Sequence, residues 1–275
     1  MKSKIKMIAF DLDGTLLTTD KRLTKRTQKA LEKAVLKGIH IIPATGRPMS
    51  GIPKEIMNFP GVRYIVSSNG ARVLDIREQK VLYEKPLPVE KAREILDIFE
   101  KYDTLREIYY DGIGYADREK LEQIEKYQKD PAMQRYICTT RRSVESTREK
   151  FETENRGLDK IQALFVNQED KLAAWKLIEE QVGNVEVTGA LSNNIEVNAE
   201  GIHKGRALGV LGQKLGISME EIMAFGDGTN DTKMLEMAGT GVAMANSAQV
   251  VLDVADITTL SNNEDGVAWM IEQYI

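Results

Sequence analysis

The sequence predicts an α/β fold in which a parallel sheet carries a second, inserted α/β layer. Short continuous apolar runs alternate with amphipathic helices in the first 84 residues, which is typical of parallel strands buried on both faces. The same alternation returns after about residue 190. The chain has 275 residues and is 42% hydrophobic, so it can form one large domain or two unequal ones.

The N-terminal part is predicted to begin with a strand over residues 5–10. A helix follows between Thr24, which can cap its start, and Gly38 at its end. Apolar runs over residues 39–44 and 64–66 predict two further strands. This order of strands and helices favours right-handed crossovers and a parallel sheet, which is a Rossmann-like arrangement.

The pattern changes from about Val81. A helix with an apolar face is predicted near residues 92–99, and the segment YYDGIGYAD is predicted to form a hairpin that turns at Asp111-Gly112. Weaker signals follow, and then a strand, a helix and another strand over residues 161–166, 172–182 and around 185. Residues 85–189 are therefore interpreted as a separate α/β layer with a mixed or antiparallel sheet.

The last part returns to alternating strands and helices. The predicted elements are a short strand at 195–197, a helix from near His203, a capping box from Ser218 to Glu221, strands at 222–225, GVAMA and ADITT, and a terminal helix. The middle block is thus predicted to be inserted between residues 1–84 and residues 190–275, which together form one domain.

Charge and cysteine content narrow the function classes. The net charge is -4 and acids and bases are mixed, so the sequence predicts neither a nucleic-acid partner nor a membrane partner. Cys138 is the single cysteine, which excludes an intrachain disulfide and favours a cytoplasmic location. Composition leaves the oligomeric state open.

Polar residues follow each of the main predicted strands. In an open parallel sheet, ligands bind in the crevice beyond the carboxyl ends of the strands. The strand-end residues are Asp11, Asp13, Thr45, Arg47, Asn69, Gly70, Asp227, Asn230 and Asp231. The sequence therefore predicts that they share one edge of the sheet.

Four of these strand-end residues are acids. Two carboxylates about 4 Å apart repel by about 4 kcal/mol at an effective dielectric near 20. Acids that converge must therefore raise their pKa values or bind a cation. Because the candidate ligands are all oxygens, the predicted cofactor is Mg²⁺, which binds a couple of carboxylates together with a substrate phosphate.

The same residues can perform phosphoryl transfer. A carboxylate beside magnesium can attack phosphorus and form an aspartyl-phosphate, and an acid two residues later can move the protons. The transferred group also needs positive charge and hydrogen-bond donors around it. Lys204, at a predicted helix start, and the hydroxyl of Thr45 are suitable.

The motifs DLDGTLL, ATGRP, SSNGA, HKGRAL and FGDGTNDTKML resemble those of the haloacid dehalogenase (HAD) superfamily of phosphatases. Their spacing and the closing SNNEDGVA resemble its Cof-type sugar-phosphatase branch. The resemblance covers both segments of the predicted HAD core, and the middle block corresponds in position to the α/β cap of that branch. Little of the cap sequence itself matches.

The resemblance implies a role for each matched catalytic position. It implies that Asp11 is the nucleophile and a metal ligand. Asp13 is implied to be the general acid and base, and to offer its main-chain carbonyl to the metal. Thr45 and Lys204 are implied to hold the phosphoryl group.

Further positions receive implied roles in metal or substrate binding. Asp227 is implied to ligate magnesium directly, and Asp231 to ligate it through water or to support the site. Asn230 is implied to orient phosphate contacts. Arg47, Asn69 and Gly70 lie at positions where this branch often contacts phosphate or substrate. One departure is AMANS, where many relatives have glycine at the position of Ala245; this loop is expected to lie outside the chemistry.

The expected function is a magnesium-dependent phosphomonoester hydrolase that acts on a small phosphorylated metabolite, a sugar phosphate, through an aspartyl-phosphate. A phosphomutase or phosphotransferase on the same core is the alternative. A phospho-accepting receiver domain is a third reading, although receivers are much shorter. The cap is expected to set substrate specificity, with hinges near Pro86–Pro88 and Gly189, and the physiological substrate stays open.

Overall fold

The computed structural model describes residues 5–189 and 192–275. The chain divides into two compact units. The first unit consists of Met1–Gly46, Ile52–Tyr83 and His203–Ile275, and the second consists of Arg47–Gly51 and Glu84–Ile202. The α/β class predicted from the sequence is confirmed.

Strands and helices are numbered along the chain. The strands are β1 (Met7–Phe10), β2 (His40–Pro43), β3 (Tyr64–Ser67), β4 (Arg72–Asp75), β5 (Lys80–Glu84), β6 (Thr104–Tyr110), β7 (Ile113–Asp117), β8 (Arg141–Val144), β9 (Lys160–Phe165), β10 (Val185–Thr188), β11 (Asn194–Ala199), β12 (Ile222–Gly226), β13 (Thr240–Ala243) and β14 (Ile257–Thr258). The α-helices are α1 (Lys25–Leu36), α2 (Lys54–Met57), α3 (Val89–Phe99), α4 (Arg118–Glu122), α5 (Ile124–Tyr127), α6 (Pro131–Thr140), α7 (Thr147–Glu154), α8 (Gln168–Leu177), α9 (Lys204–Leu215), α10 (Thr232–Met237), α11 (Gln249–Leu252) and α12 (Gly266–Tyr274).

The first unit contains the predicted parallel sheet, in the order β14-β13-β12-β1-β2, with every neighbouring pair parallel. β1 lies between β12 and β2, and all four of its residues are buried. β3 joins the edge of β2 through parallel bridges, and β4 then pairs with β3 in antiparallel fashion. β4 and β5 were not predicted, because their segments RVLD and KVLYE carry charged residues at both ends.

The core of the first unit lies on both faces of this sheet. On one face, α9 contributes Ala207, Leu208 and Leu211, which pack with Met7 and Ala9 of β1. Helix α1 buries its apolar stripe, as its periodicity predicts. Both helices have twelve residues, and a membrane-spanning helix needs about 20. Within the described residues, no helix is long and apolar enough to span a membrane.

The second unit has its own sheet, in the order β10-β11-β9-β6-β7-β8. Its pairs are antiparallel except β7 with β8, as the hairpin signals predicted. Asp111 and Gly112 both have positive φ, which is the geometry of the predicted two-residue turn. An apolar cluster on one face of the sheet joins α3, α7 and α8 to the strands, so this unit has a core of its own.

The predicted boundary between the two units at residues 189 and 190 needs correction. β11, which the sequence analysis assigned to the first domain, pairs with β9 and β10 and therefore belongs to the second unit. The second unit ends at Ile202, and residues 190 and 191 at the predicted boundary lie outside the described residues. An apolar alternation predicts a strand but does not specify the sheet that the strand joins.

Substitution of Thr24 tests how α1 is held at its start. The Thr24 hydroxyl accepts a hydrogen bond from Thr27 N at 3.1 Å and donates one to Asp265 Oδ1 at 2.5 Å. We expect Thr24→Ala to lower the free energy of unfolding by about 1–3 kcal/mol, because a helix cap and a bond to a carboxylate are lost together. Urea denaturation measures the change. Thr24→Ser keeps the hydroxyl and should stay within about 0.5 kcal/mol of the wild type; equal losses would contradict the prediction.

Candidate active site

Two neighbouring strands bring the first and the last acidic motifs together. β1 and β12 are parallel and in register, with Phe10 opposite Phe225. Asp11 continues β1, and its N–H donates to the carbonyl of Phe225 at 3.0 Å. Asp227 follows β12 directly. Because both strands end at the same edge of the sheet, acids more than two hundred residues apart in sequence become neighbours.

Lys204 is the first residue of α9, and its side chain is completely buried. Its Nζ donates to Asp11 Oδ1 at 2.6 Å and to Asp231 Oδ1 at 2.7 Å. The α9 N-cap is His203, whose Nδ1 accepts from Arg206 N at 3.1 Å. A buried ammonium between two carboxylates is a fixed positive charge at the strand end.

Asp231 is also completely buried, and both its oxygens are engaged. Oδ1 accepts from Lys204, and Oδ2 accepts from the backbone N–H groups of Asp227 and Gly228, each at 3.0 Å. Asp231 therefore fixes the loop that carries Asp227. This geometry suits the supporting role, which is one of the two that the resemblance left open, and ligation of the metal through water stays a prediction.

Burial sets the ionisation of the acids. It raises the pKa of Asp11 to about 8, which outweighs the opposing effect of Lys204, and the neighbouring carboxylates add to the rise. Burial also raises the pKa of Asp227 to about 7, with Asp231 contributing. Burial alone lowers the pKa of Lys204, but Asp11 and Asp231 outweigh it and raise that pKa above its usual value. Lys204 therefore stays charged, but its single positive charge is not enough to keep the pKa values of Asp11 and Asp227 at their usual level.

A divalent cation fits this shortage. One carboxylate oxygen from each of Asp11, Asp227 and Asp231 lies within 4.8 Å of the other two. The donor set is all oxygen, which suits a hard ion such as Mg²⁺. A cation at this point would favour the ionised forms that burial disfavours. The residues present thus fit a divalent metal.

Asp227 is held by two residues of the first motif that the sequence analysis did not single out. Thr15 donates its hydroxyl to Asp227 Oδ1 at 2.6 Å. Gly14 has a φ of +84°, and a Cβ built on it would lie 2.2 Å from Asp227 Oδ2. The glycine and threonine of DLDGTLL therefore position the Asp227 carboxylate of the other motif.

The predicted phosphate-contacting residues of the first unit lie in adjoining loops. Thr45 is buried, its N–H donates to Val66 O, and its carbonyl accepts from Asn69 N. Asn69 Oδ1 accepts from Asn230 Nδ2 at 3.0 Å. Gly70 has a φ of +103°, and a Cβ there would lie 2.6 Å from the carbonyl of His203. Gly70 therefore allows the SSNGA loop to approach the start of α9 closely.

Arg47 differs from the other predicted site residues because it belongs to the second unit. Its Nη1 donates to Gly51 O at 2.8 Å, and its guanidinium lies 4.4 Å from the ring centre of Tyr136. Its role in substrate binding stays a prediction.

Asp13 lies two residues after Asp11 and accepts from Lys21 Nζ at 2.7 Å.

The AMANS loop has a larger part than the sequence analysis expected. Asn246 donates its Nδ2 to the carbonyl of Gly14 at 2.9 Å, and its Oδ1 accepts from Asn262 N at 3.0 Å. The loop therefore supports the backbone of the first motif. The signal available in the sequence was the side-chain amide of Asn246, but its partner is a carbonyl 232 positions away.

Substitution of Lys204 tests the electrostatic balance of the site. Lys204→Met leaves two buried carboxylates without their common cation, so we expect the free energy of unfolding to fall by about 3–5 kcal/mol. Lys204→Met combined with Asp231→Asn should lose less than the sum of the single losses, since one buried charge is removed as well. Urea denaturation of the wild type, Lys204→Met, Asp231→Asn and the double variant gives the coupling free energy between the two residues. Lys233→Met, an exposed lysine paired with Glu236, is the control; additive losses would contradict the prediction.

Comparison with known proteins gives the family. Residues 8–271 match the haloacid dehalogenase-like hydrolase family. The chain is 30% identical to the phosphatase YwpJ of Bacillus subtilis, with 98% of this chain and 100% of the relative covered. It is 29% identical to the 5-amino-6-(5-phospho-D-ribitylamino)uracil phosphatase YcsE of the same organism, covering 98% of this chain and 96% of that one.

A solved structure supports the same placement. The HAD subclass IIB sugar phosphatase BT4131 superposes with a TM-score of 0.84 at 26% identity, and 98% of each chain is covered. The receiver-domain reading does not agree with these matches, which extend over nearly the whole chain. The chain therefore belongs to the haloacid dehalogenase-like hydrolase family, and its assignment from the sequence as a Cof-type phosphatase of this family is confirmed.

Proposed function

We propose that the protein is a magnesium-dependent phosphomonoester hydrolase that acts on a small phosphorylated metabolite through an aspartyl-phosphate on Asp11. The observation that carries the proposal is the position of Asp11 at a strand end, bonded to the buried Lys204 and within 4.8 Å of two further carboxylates. Such a carboxylate is oriented by its neighbours and lies where negative charge can be compensated.

Asp11 is proposed as the nucleophile. Lys204 holds Oδ1 at 2.6 Å, and among the described residues no hydrogen bond to Oδ2 is found, so Oδ2 is suited to attack. In the first step Asp11 Oδ2 bonds to phosphorus, the bond from phosphorus to the ester oxygen breaks, and Asp13 gives its proton to that oxygen. Thr45 and Lys204 are proposed to hold the phosphoryl oxygens.

The second step returns the enzyme to its starting form. Asp13, now ionised, takes a proton from water, whose oxygen attacks phosphorus. The bond to Asp11 breaks and inorganic phosphate leaves. Asp13 suits this exchange because its side chain is about one third exposed at 31%, whereas Asp11 is nearly buried.

Asp11 and Asp227 are proposed to ligate Mg²⁺, together with the Asp13 carbonyl, while Asp231 fixes their geometry from behind. When bound, the ion supplies positive charge that stabilises the phosphoryl oxygens as negative charge develops on them. The support in this chain is the all-oxygen donor set and the burial that raises the pKa values of Asp11 and Asp227.

A sugar phosphate is the proposed substrate class, and the second unit is proposed as the cap that selects it. Support for the class comes from relatives: one acts on a phosphoribityl compound by its name, and one solved neighbour is named a sugar phosphatase. Support for the cap role is that the second unit has its own sheet and core, apart from the acids and Lys204.

Activity of Asp11→Asn tests the proposed nucleophile. The amide is a poor nucleophile, so we expect kcat with p-nitrophenyl phosphate and Mg²⁺ to fall by about 10³-fold or more. Asp253→Asn replaces an exposed aspartate of the same unit and should keep wild-type turnover. Wild-type turnover in Asp11→Asn would exclude the assignment.

Assays of the wild-type protein test whether turnover needs Mg²⁺ and whether the reaction is hydrolysis. Chelation should abolish turnover, and Mg²⁺ should restore it. One inorganic phosphate should appear for each sugar phosphate consumed. A phosphomutase or phosphotransferase would consume the substrate with little release of phosphate, so a ratio far below one would favour the alternative.

Removal of the second unit tests the proposed cap. We expect a chain in which a short glycine-serine linker replaces residues 84–202 to keep its Mg²⁺ dependence with p-nitrophenyl phosphate, because the acids and Lys204 lie in the first unit. Selectivity among sugar phosphates should fall by about tenfold or more, since binding contacts to the sugar would be lost. The ratio of kcat/KM values for two sugar phosphates measures this. Unchanged selectivity would contradict the cap role.

A further inference from the structure

Lys21 is a basic residue beside the first motif that no part of the proposed function uses. Its Nζ lies 2.7 Å from Asp13 Oδ1, and the two side chains are 32% and 31% exposed. An ion pair at this exposure contributes little to stability. The contact therefore matters chiefly through its effect on the Asp13 carboxyl group.

The backbone of Lys21 is in a conformation that is unusual for a lysine residue. Its φ is +60°, the left-handed region that favours glycine and asparagine. Lys21 N donates to the carbonyl of Thr18 at 2.8 Å, and Thr18 N donates to the carbonyl of Arg22 at 3.0 Å, so the strained residue closes a tight turn. Non-glycine residues in this region often accompany functional sites, since surrounding structure must hold them there.

Three asparagines from the last thirty residues hold the loop that carries Lys21. Asn246 and Asn262 donate to the carbonyls of Gly14 and Leu17, each at 2.9 Å. Asn263 Oδ1 accepts from Thr19 N at 3.0 Å, and its Nδ2 donates to the Thr19 hydroxyl at 2.9 Å. These hydrogen bonds hold the loop along its length, so the backbone of Lys21 has a fixed position relative to the first motif.

We propose that Lys21 is a positioning residue that holds the carboxyl group of Asp13 in the orientation needed for proton transfer. The proposal rests on the acid–base role assigned to Asp13 above. An ammonium donates most strongly to an oxygen of the ionised carboxylate, and it can also donate to the carbonyl oxygen of the protonated acid. One contact can therefore orient Asp13 in both halves of the reaction, without Lys21 touching substrate or phosphorus.

The leaving group provides a specific readout. When Asp11 attacks, Asp13 must protonate the departing oxygen of an alkyl phosphate, whereas p-nitrophenolate departs readily without a proton. A poorly oriented Asp13 should therefore slow the hydrolysis of glycerol 2-phosphate far more than that of p-nitrophenyl phosphate. A loss of folding alone would slow both substrates equally.

Lys21→Asn is the decisive variant, because asparagine tolerates the left-handed conformation but is too short to reach Asp13. We expect kcat for glycerol 2-phosphate to fall by about tenfold, a part of the usual general-acid effect, with KM unchanged. The value for p-nitrophenyl phosphate should change by less than about twofold, and the urea midpoint should not fall. Lys21→Arg should recover most of the loss.

Two controls make the outcome unambiguous. Arg22→Met alters the next residue of the same turn, whose exposed partner is Asp20, and should leave both substrates at wild-type rates. Asp13→Asn should show a larger leaving-group effect of the same kind. If Asp13→Asn shows the effect and Lys21→Asn does not, the positioning proposal is overturned while the role of Asp13 stands. If neither shows it, the acid–base assignment of Asp13 fails, and the proposal falls with it.

Discussion

The contact of the buried Lys204 ammonium with Asp11 and Asp231 is the interaction on which the site depends. Each of the three groups would be costly to bury alone, and together they compensate one another. The contact requires the end of β1, the loop after β12 and the first turn of α9 to meet at one point. The Gly70 loop approaches the His203 carbonyl closely, so this loop also meets the start of α9.

The acids around this lysine divide into two environments. Asp11 and Asp231 are buried and fixed, whereas Asp13 is partly exposed and paired with a lysine on a surface loop. A nucleophile benefits from fixed neighbours, and a group that exchanges protons with water benefits from access to solvent. Two carboxylates separated by a single residue can thus serve different steps because the strand ends between them.

The sequence carried enough information to find the strand-end residues of the site. Asp11 and Asp227 were predictable because apolar runs mark where the strands end, and parallel strands end at one edge. Lys204 was predictable because it stands at a helix start, which favours an anion. Contacts made by loops were not predictable in the same way. Thr15 and Asn246 contact partners more than two hundred positions away, and Lys21 stands in a loop that Asn263 contacts at Thr19, 244 positions away. No local pattern encodes such partners. The assignment of β11 to the wrong unit has the same origin, since its apolar alternation fits either sheet.

The pairing of β1 with β12 has a consequence for how the chain is made. During synthesis Asp11 leaves the ribosome early, but β12 and the asparagines that hold the loop after β1 come last, and the partners in these contacts are up to 245 positions apart. The six strands of the second unit all lie between Thr104 and Ala199, so that sheet can form while the final strands of the first unit are still unmade. Long separations of this kind also slow folding. A nascent chain therefore cannot bring Asp11, Lys204 and Asp227 together until its translation is nearly finished.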